Sequence, residues 1–214
     1  MNENLTELVF ILDRSGSMSG LERDTIGGFN SMLEKQKKES GEAFVTTVLF
    51  DDKYKLLHDR NDIKRVNAIT EKEYYVRGST ALLDAIGITI NNIGIALSDT
   101  NKEERPGKVL FVIITDGMEN SSREFSYEKI KEMVEHQKSK YAWDFIFLGA
   151  NIDAIMTAGS FGISADRAAN FVSDSSGTQL NYRVVSEAVS SIRKGRNVDA
   201  SWKNEIEKDY RKRG

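Results

Sequence analysis

Cysteine is absent from the 214 residues, histidine occurs only twice, and no apolar run approaches the length of a bilayer. Without cysteine there is no disulfide framework, no thiolate nucleophile and no cysteine-based zinc or iron–sulfur centre. That usage suits a reducing compartment. His58 and His136 stand far apart and read as structural or solvated positions rather than catalytic ones. A membrane-spanning helix needs roughly 18 or more consecutive apolar residues, and none is present. The start, Met1-Asn2-Glu3-Asn4, has neither the basic end nor the long apolar stretch of a secretory signal. A cytoplasmic location is therefore expected.

An excess of positive charge is missing as well. Thirty Lys and Arg face 33 Asp and Glu, a net charge of −3. This gives no electrostatic case for nucleic acid or for an anionic membrane. There is no Gly-x-x-x-x-Gly-Lys phosphate loop and no Gly-x-Gly-x-x-Gly dinucleotide fingerprint. A Gly-x-Ser-x-Gly nucleophile elbow fails because Met18 stands between Gly16 and Gly20.

The remaining composition, 39% apolar and 29% charged, is that of an ordinary globular domain. Leu8–Leu12, Phe44–Phe50, Val109–Thr115 and Trp143–Leu148 read as buried strands, with Lys55–Leu57 and Tyr74–Val76 as weaker candidates. The first and third are continuously apolar, as in parallel strands covered on both faces. Helical stripes lie between them: Ile26, Phe29 and Leu33; Leu82, Leu83, Ile86, Ile90, Ile93 and Leu97; Ile130, Met133 and Val134 behind the N-cap residue Ser126. Val184, Val185, Ala188, Val189 and Ile192 form another. This alternation predicts an α/β fold with a doubly wound, mainly parallel sheet and helices on both faces. The short link Phe50–Tyr54 excludes a crossover helix, so the strands it joins should pair antiparallel at an edge. A single domain over residues 1–195 is expected. A charged extension, 196–214, follows it, with Trp202, Ile206 and Tyr210 spaced as on a short packed helix.

Against this frame stands Asp13-Arg14-Ser15-Gly16-Ser17, directly behind the first strand. Gly78-Ser79-Thr80 precedes the strongest helical stripe, and Thr115-Asp116-Gly117 closes the third strand. In a doubly wound sheet, ligands bind beyond the carboxyl ends of the strands. Asp13, Ser15, Ser17, Thr80 and Asp116 offer that place oxygen ligands only, which suits a small hard cation such as Mg²⁺ or Mn²⁺. Two neighbouring carboxylates repel unless something positive lies between them. Ser15 and Ser17, alternate residues of an extended loop, should point the same way, and Gly16 between them is expected to relieve crowding where the backbone turns. Arg14 reads as a solvated rim residue, Asp51-Asp52 as turn chemistry, and Glu119 and Asn120 as loop holders. Met18 and Met118 read as loop packing, with an adaptable apolar rim as the alternative.

Asp13-Arg14-Ser15-Gly16-Ser17-Met18, Gly78-Ser79-Thr80-Ala81-Leu82 and Thr115-Asp116-Gly117-Met118-Glu119-Asn120 together resemble the three loops of the von Willebrand factor A domain. Order, spacing and flanking strands all agree, over roughly residues 5 to 195. The resemblance implies a metal-ion-dependent adhesion site (MIDAS). Ser15, Ser17 and Thr80 would coordinate the ion through their hydroxyls, and Asp13 and Asp116 would hold metal-bound waters. It implies Mg²⁺ or Mn²⁺, with Ca²⁺ a third candidate, and a protein partner whose Glu or Asp completes the shell. Members inside microbial cells dock on ATPase or chelatase partners, so an ATPase-containing complex is one setting it implies. The rival reading is a Mg²⁺-dependent phosphotransferase or hydrolase with Asp13 as nucleophile. Such chemistry wants a second carboxylate where Ser15 stands and a basic residue near the phosphate, while Lys108 precedes its strand and so should lie at the opposite end of the sheet. A non-enzymatic binding module is the expectation.

Overall fold

The computed structural model describes residues 1–214. Six strands form one sheet: β1 (Asn2–Asp13), β2 (Glu42–Phe50), β3 (Tyr54–Asp62), β4 (Pro106–Thr115), β5 (Asp144–Gly149) and β6 (Ala168–Asn170). Their order is β3-β2-β1-β4-β5-β6. All neighbours pair in parallel except β2 and β3, which form the antiparallel edge hairpin. The helices are α1 (Glu22–Lys37), α2 (Leu82–Ser98), α3 (Tyr127–Tyr141), α4 (Ala154–Ser160), α5 (Ser175–Arg193) and α6 (Asn204–Arg213).

The period of two along β1 divides the core. Leu8, Phe10 and Leu12 pack with Phe29 of α1, Val185 and Val189 of α5 and Ile206 of α6. Val9 and Ile11 face Leu82, Ile86 and Ile90 of α2 and Ile130 and Val134 of α3. Both faces of the central strands are therefore dry, and burying each such side chain stabilises the fold by about 1.5–3 kcal/mol. The connections leaving β1 and β4 run to opposite faces, through α1 and α3. The crevice between these two neighbours is the topological switch point of the sheet.

Four sequence expectations need correction. Tyr74–Val76 is not a strand. Its apolar character comes from Tyr74, which is fully buried and donates its hydroxyl to the Asp13 carbonyl at 2.5 Å. Both edges of β1, the strand whose end it touches, are already occupied by β2 and β4. Lys108 lies inside β4 rather than before it, although still at the opposite end from Asp116. The chain around Ser17 is a 3-10 turn, Gly16–Met18, not an extended loop. A Cβ added at Gly16 would meet only the Gly78 carbonyl at 3.4 Å, an ordinary contact; the crowded glycine is Gly78. Its φ is +66°, and a Cβ there would stand 2.3 Å from an Asp52 carboxylate oxygen.

Two short elements, α4 and β6, escaped the sequence pattern because seven and three residues are too few to show a period. Beyond α5, the Trp202 indole donates to the Asp166 carbonyl, Lys203 donates to the carbonyls of Ala165 and Ala168, and Ile206 is buried.

Candidate metal centre

Asp13 ends β1 and Asp116 follows β4, so strand pairing alone brings the two carboxylates to the switch point. Hydrogen bonds close a ring between them. The Ser15 amide donates to Asp13 Oδ1 at 2.7 Å, and the hydroxyls of Ser15 and Ser17 lie 3.1 Å apart. Ser17 Oγ donates to Asp116 Oδ1 at 2.5 Å. Thr115 Oγ1 donates to Asp13 Oδ2 at 2.5 Å and completes the circuit.

Thr80 arrives from the second loop, Gly78-Ser79-Thr80. A Cβ placed on Gly117 would stand 3.0 Å from Ser17 Oγ and 3.6 Å from Thr80 Oγ1. The two hydroxyls thus flank one small space that only a glycine leaves open. Asn120 holds Thr80 there with a reciprocal pair of bonds: the Thr80 amide donates to Asn120 Oδ1 at 2.9 Å, and the Asn120 amide to the Thr80 carbonyl at 3.0 Å. Glu119 accepts from the amides of Leu83, Ser121 and Ser122, fastening the Asp116 loop to the start of α2. Met18 is buried, whereas Met118 is 71% exposed at the rim.

Electrostatics distinguish this cluster from the rest of the protein. Asp13, Ser15, Thr80 and Asp116 are each no more than 3% exposed. Burial pushes the Asp13 carboxyl up to about 6, against hydrogen bonds from Thr115 and Ser15. Burial also raises Asp116, against hydrogen bonds from Ser17 and Ser173. No lysine, arginine or histidine forms an ion pair with either. Two buried carboxylates without a counter-charge are costly.

The donor set fits a small divalent cation. Adjacent ligands of an octahedron with 2.0–2.1 Å bonds lie about 2.9 Å apart. The 3.1 Å and 2.5 Å separations of Ser15, Ser17 and Asp116 oxygens bracket that value. The three hydroxyls bring no charge of their own, and the two carboxylates together balance that of a divalent ion.

Two further residues touch this cluster. Thr115 looks in sequence like the end of an apolar strand, and its hydroxyl role shows only once β1 lies alongside. Ser173, whose hydroxyl donates to Asp116 Oδ2 at 3.3 Å, comes from a loop without a motif. Arg14 is no rim residue. It is 2% exposed, with Nε 2.8 Å from Oδ2 of the fully buried Asp51. Asp51 itself does more than shape a turn, as it also receives Arg77. His58 is buried on β3 against Thr47, and His136 is exposed on α3, both remote from the switch point.

No protein-family model and no curated protein sequence matches the chain. Solved structures do. A von Willebrand factor type A protein from Catenulispora acidiphila is 13% identical, with a TM-score of 0.55 over 85% of this chain and 41% of that one. The pilus adhesin SpaC from Lactobacillus rhamnosus GG is 10% identical, with a TM-score of 0.68 over 90% of this chain and 31% of that one. Proximal thread matrix protein 1 from the mussel byssus, with a zinc-occupied MIDAS motif, is 14% identical, with a TM-score of 0.59 over 86% and 46%. The chain has the von Willebrand factor A-type fold, and spans less than half the length of each of these proteins.

Proposed function

We propose that this chain is a metal-dependent protein-binding module in which Asp13, Ser15, Ser17, Thr80 and Asp116 hold one divalent cation. One observation carries the reading: two buried carboxylates share a crevice with three hydroxyls and no cationic side chain. When bound, Mg²⁺ or Mn²⁺ supplies a coordination position for a carboxylate that the protein itself does not fill. The structural neighbour with a zinc-occupied MIDAS supports a divalent ion in this fold.

Each residue has a part in this reading. Thr115 and the Ser15 amide hold the Asp13 carboxylate in one orientation. Ser17 and Ser173 do the same for Asp116. With Asp13 and Asp116 holding metal-bound waters, only neutral Ser15, Ser17 and Thr80 touch the ion directly, which favours a Glu or Asp side chain from a partner protein as the completing group. An ATPase-containing assembly is a candidate source of that acid.

Covalent catalysis by Asp13 has less support. The residue is 1% exposed, and Ser15 holds the position where such chemistry wants a second carboxylate. No helix is long and apolar enough to cross a membrane.

Thermal unfolding with and without Mg²⁺ or Mn²⁺ tests the reading, because a ligand that binds only the folded state must raise Tm. Wild-type protein should gain Tm, and Asp13→Ala or Ser15→Ala should not. Asp116→Ala should lose metal-dependent capture of partners from cell extract while staying folded. An equal metal response in wild type and variants would refute the assignment.

A further inference from the structure

The residue between the first two motif positions, Arg14, points away from the metal cluster into a buried charge network. Asp51 Oδ2 lies 2.8 Å from Arg14 Nε and 2.8 Å from Arg77 Nε. Arg77 Nη2 also donates to Asp51 Oδ1 at 3.3 Å, and the Lys53 amide donates to that oxygen at 2.8 Å. Burial pushes Asp51 up. The hydrogen bonds from Arg77 and the Lys53 amide and the charge of Arg14 outweigh it and hold the carboxyl below its ordinary range. Tyr75 covers the assembly from the solvent side, with its ring centroid 5.0 Å from the Arg14 guanidinium carbon.

Backbone bonds show what this network joins. The Arg14 amide donates to the Phe50 carbonyl at 2.8 Å, and the Arg77 amide to the Arg14 carbonyl at 2.9 Å. The Gly16 amide donates to the Gly78 carbonyl at 3.1 Å, and the Ala81 amide to the Asp51 carbonyl at 2.9 Å. Residues 75–81 have no strand or helix of their own, yet this stretch delivers Thr80. It is threaded between the Asp13–Ser17 loop and the end of β2, and its side-chain anchor there is Arg77 on Asp51, the residue that follows β2.

We infer that Arg14, Asp51 and Arg77 form a positioning clamp that fixes the Thr80 loop against the first metal loop and thereby sets ion affinity. This rests on the metal-binding reading above. Arg14 and Arg77 touch no candidate ligand side chain, so they act through Thr80. Partners that orient ligands in this way typically change metal affinity by 10–100-fold.

The test uses the full chain and Mn²⁺ as the probe. Arg77→Gln is the first variant, because its side chain is 37% exposed and its loss leaves the core intact. Asp51→Asn is the second. In EDTA, Arg77→Gln should speed amide exchange at residues 77–81 by at least about tenfold, with the β1 and β4 amides unchanged. Calorimetric titration should show Mn²⁺ affinity weakened by about tenfold or more. Thr80→Ala should weaken it too, and the double variant Arg77→Gln/Thr80→Ala should be no weaker than Thr80→Ala alone. Pairing Arg77→Gln with Ser17→Ala should instead multiply the two losses.

Mn²⁺ affinity within twofold of wild type in both Arg77→Gln and Asp51→Asn would overturn the clamp alone. So would multiplying losses with Thr80→Ala, or unchanged exchange at residues 77–81. Absence of Mn²⁺ binding by the wild type would overturn the proposed function and this inference with it.

Discussion

Asp51 and the pair Asp13/Asp116 are buried to the same degree, at 0–1% exposure, and the protein treats them in opposite ways. Asp51 is met by two guanidinium groups, and its carboxyl is held below the ordinary range. Asp13 and Asp116 are met only by hydroxyls and amides, and burial drives both upward. The first charge is neutralised within the chain. The second pair makes sense with a cation from outside. The proposed metal site therefore rests not on burial alone but on burial without an internal counter-charge.

The largest expected effect falls on the self-sufficient carboxylate. Asp51→Ala strands Arg14, which is 2% exposed, and breaking a buried pair costs about 3–5 kcal/mol. Urea unfolding in EDTA should show that loss, and added Mn²⁺ should not abolish it. A stability within 0.5 kcal/mol of wild type, roughly the scatter of neutral surface changes, would erase the contrast between the two sites.

Asp13→Asn should behave in the opposite sense. In EDTA it should be at least as stable as wild type, since it removes a buried charge without a partner. Its metal response should vanish, however, a difference of about 2.7 kcal/mol at an ion concentration 100 times Kd. Paired melts with EDTA and with Mn²⁺ read both effects.

A third buried carboxylate, Glu7, lies between these extremes and sharpens the comparison. Arg60 Nε is 3.0 Å from its Oε2, but burial outweighs that single partner and raises the carboxyl to about 7, from 4.5. A raised acid holds its proton longer in the folded state. Its contribution to stability therefore falls as pH climbs from about 4.5 through about 7. The limit is roughly 3 kcal/mol from a shift of that size. In EDTA, Glu7→Gln should flatten the decline of stability between pH 5 and 8 relative to wild type. Equal slopes would show that Arg60 already compensates Glu7.

The smallest expected effect is at Ser173. Removing one 3.3 Å hydrogen bond to Asp116 should weaken Mn²⁺ binding only a few-fold, consistent with about 1 kcal/mol for a single bond. A Ser173→Ala loss as large as that of Ser17→Ala would promote Ser173 to a ligand.

Much of this was legible in the sequence because the central strands announce themselves. Continuous apolar runs at Leu8–Leu12 and Val109–Thr115 end in Asp13 and just before Asp116, so the architecture followed from strand pattern. The convergence of those carboxylates also needed the two strands to be neighbours, as the pairing of β1 with β4 makes them. The antiparallel hairpin followed from a link too short for a helix. Other features depend on contacts between distant segments. Arg14 reads as a surface residue until Asp51 and Arg77 are brought to it, and nothing local marks that meeting. Tyr74 mimics a strand residue because a loop side chain packed into the core leaves the same apolar signature as one in a strand. Ser173 sits on a loop placed by α5 and β6, of which β6 is too short to read.

The most direct test of the central claim is a calorimetric titration of Mn²⁺ into the metal-free chain, run in parallel on wild type, Asp13→Asn and Asp116→Asn. One ion per wild-type chain, with binding lost in both variants, is the predicted result. No binding by the wild type, or equal binding by all three, would contradict the account.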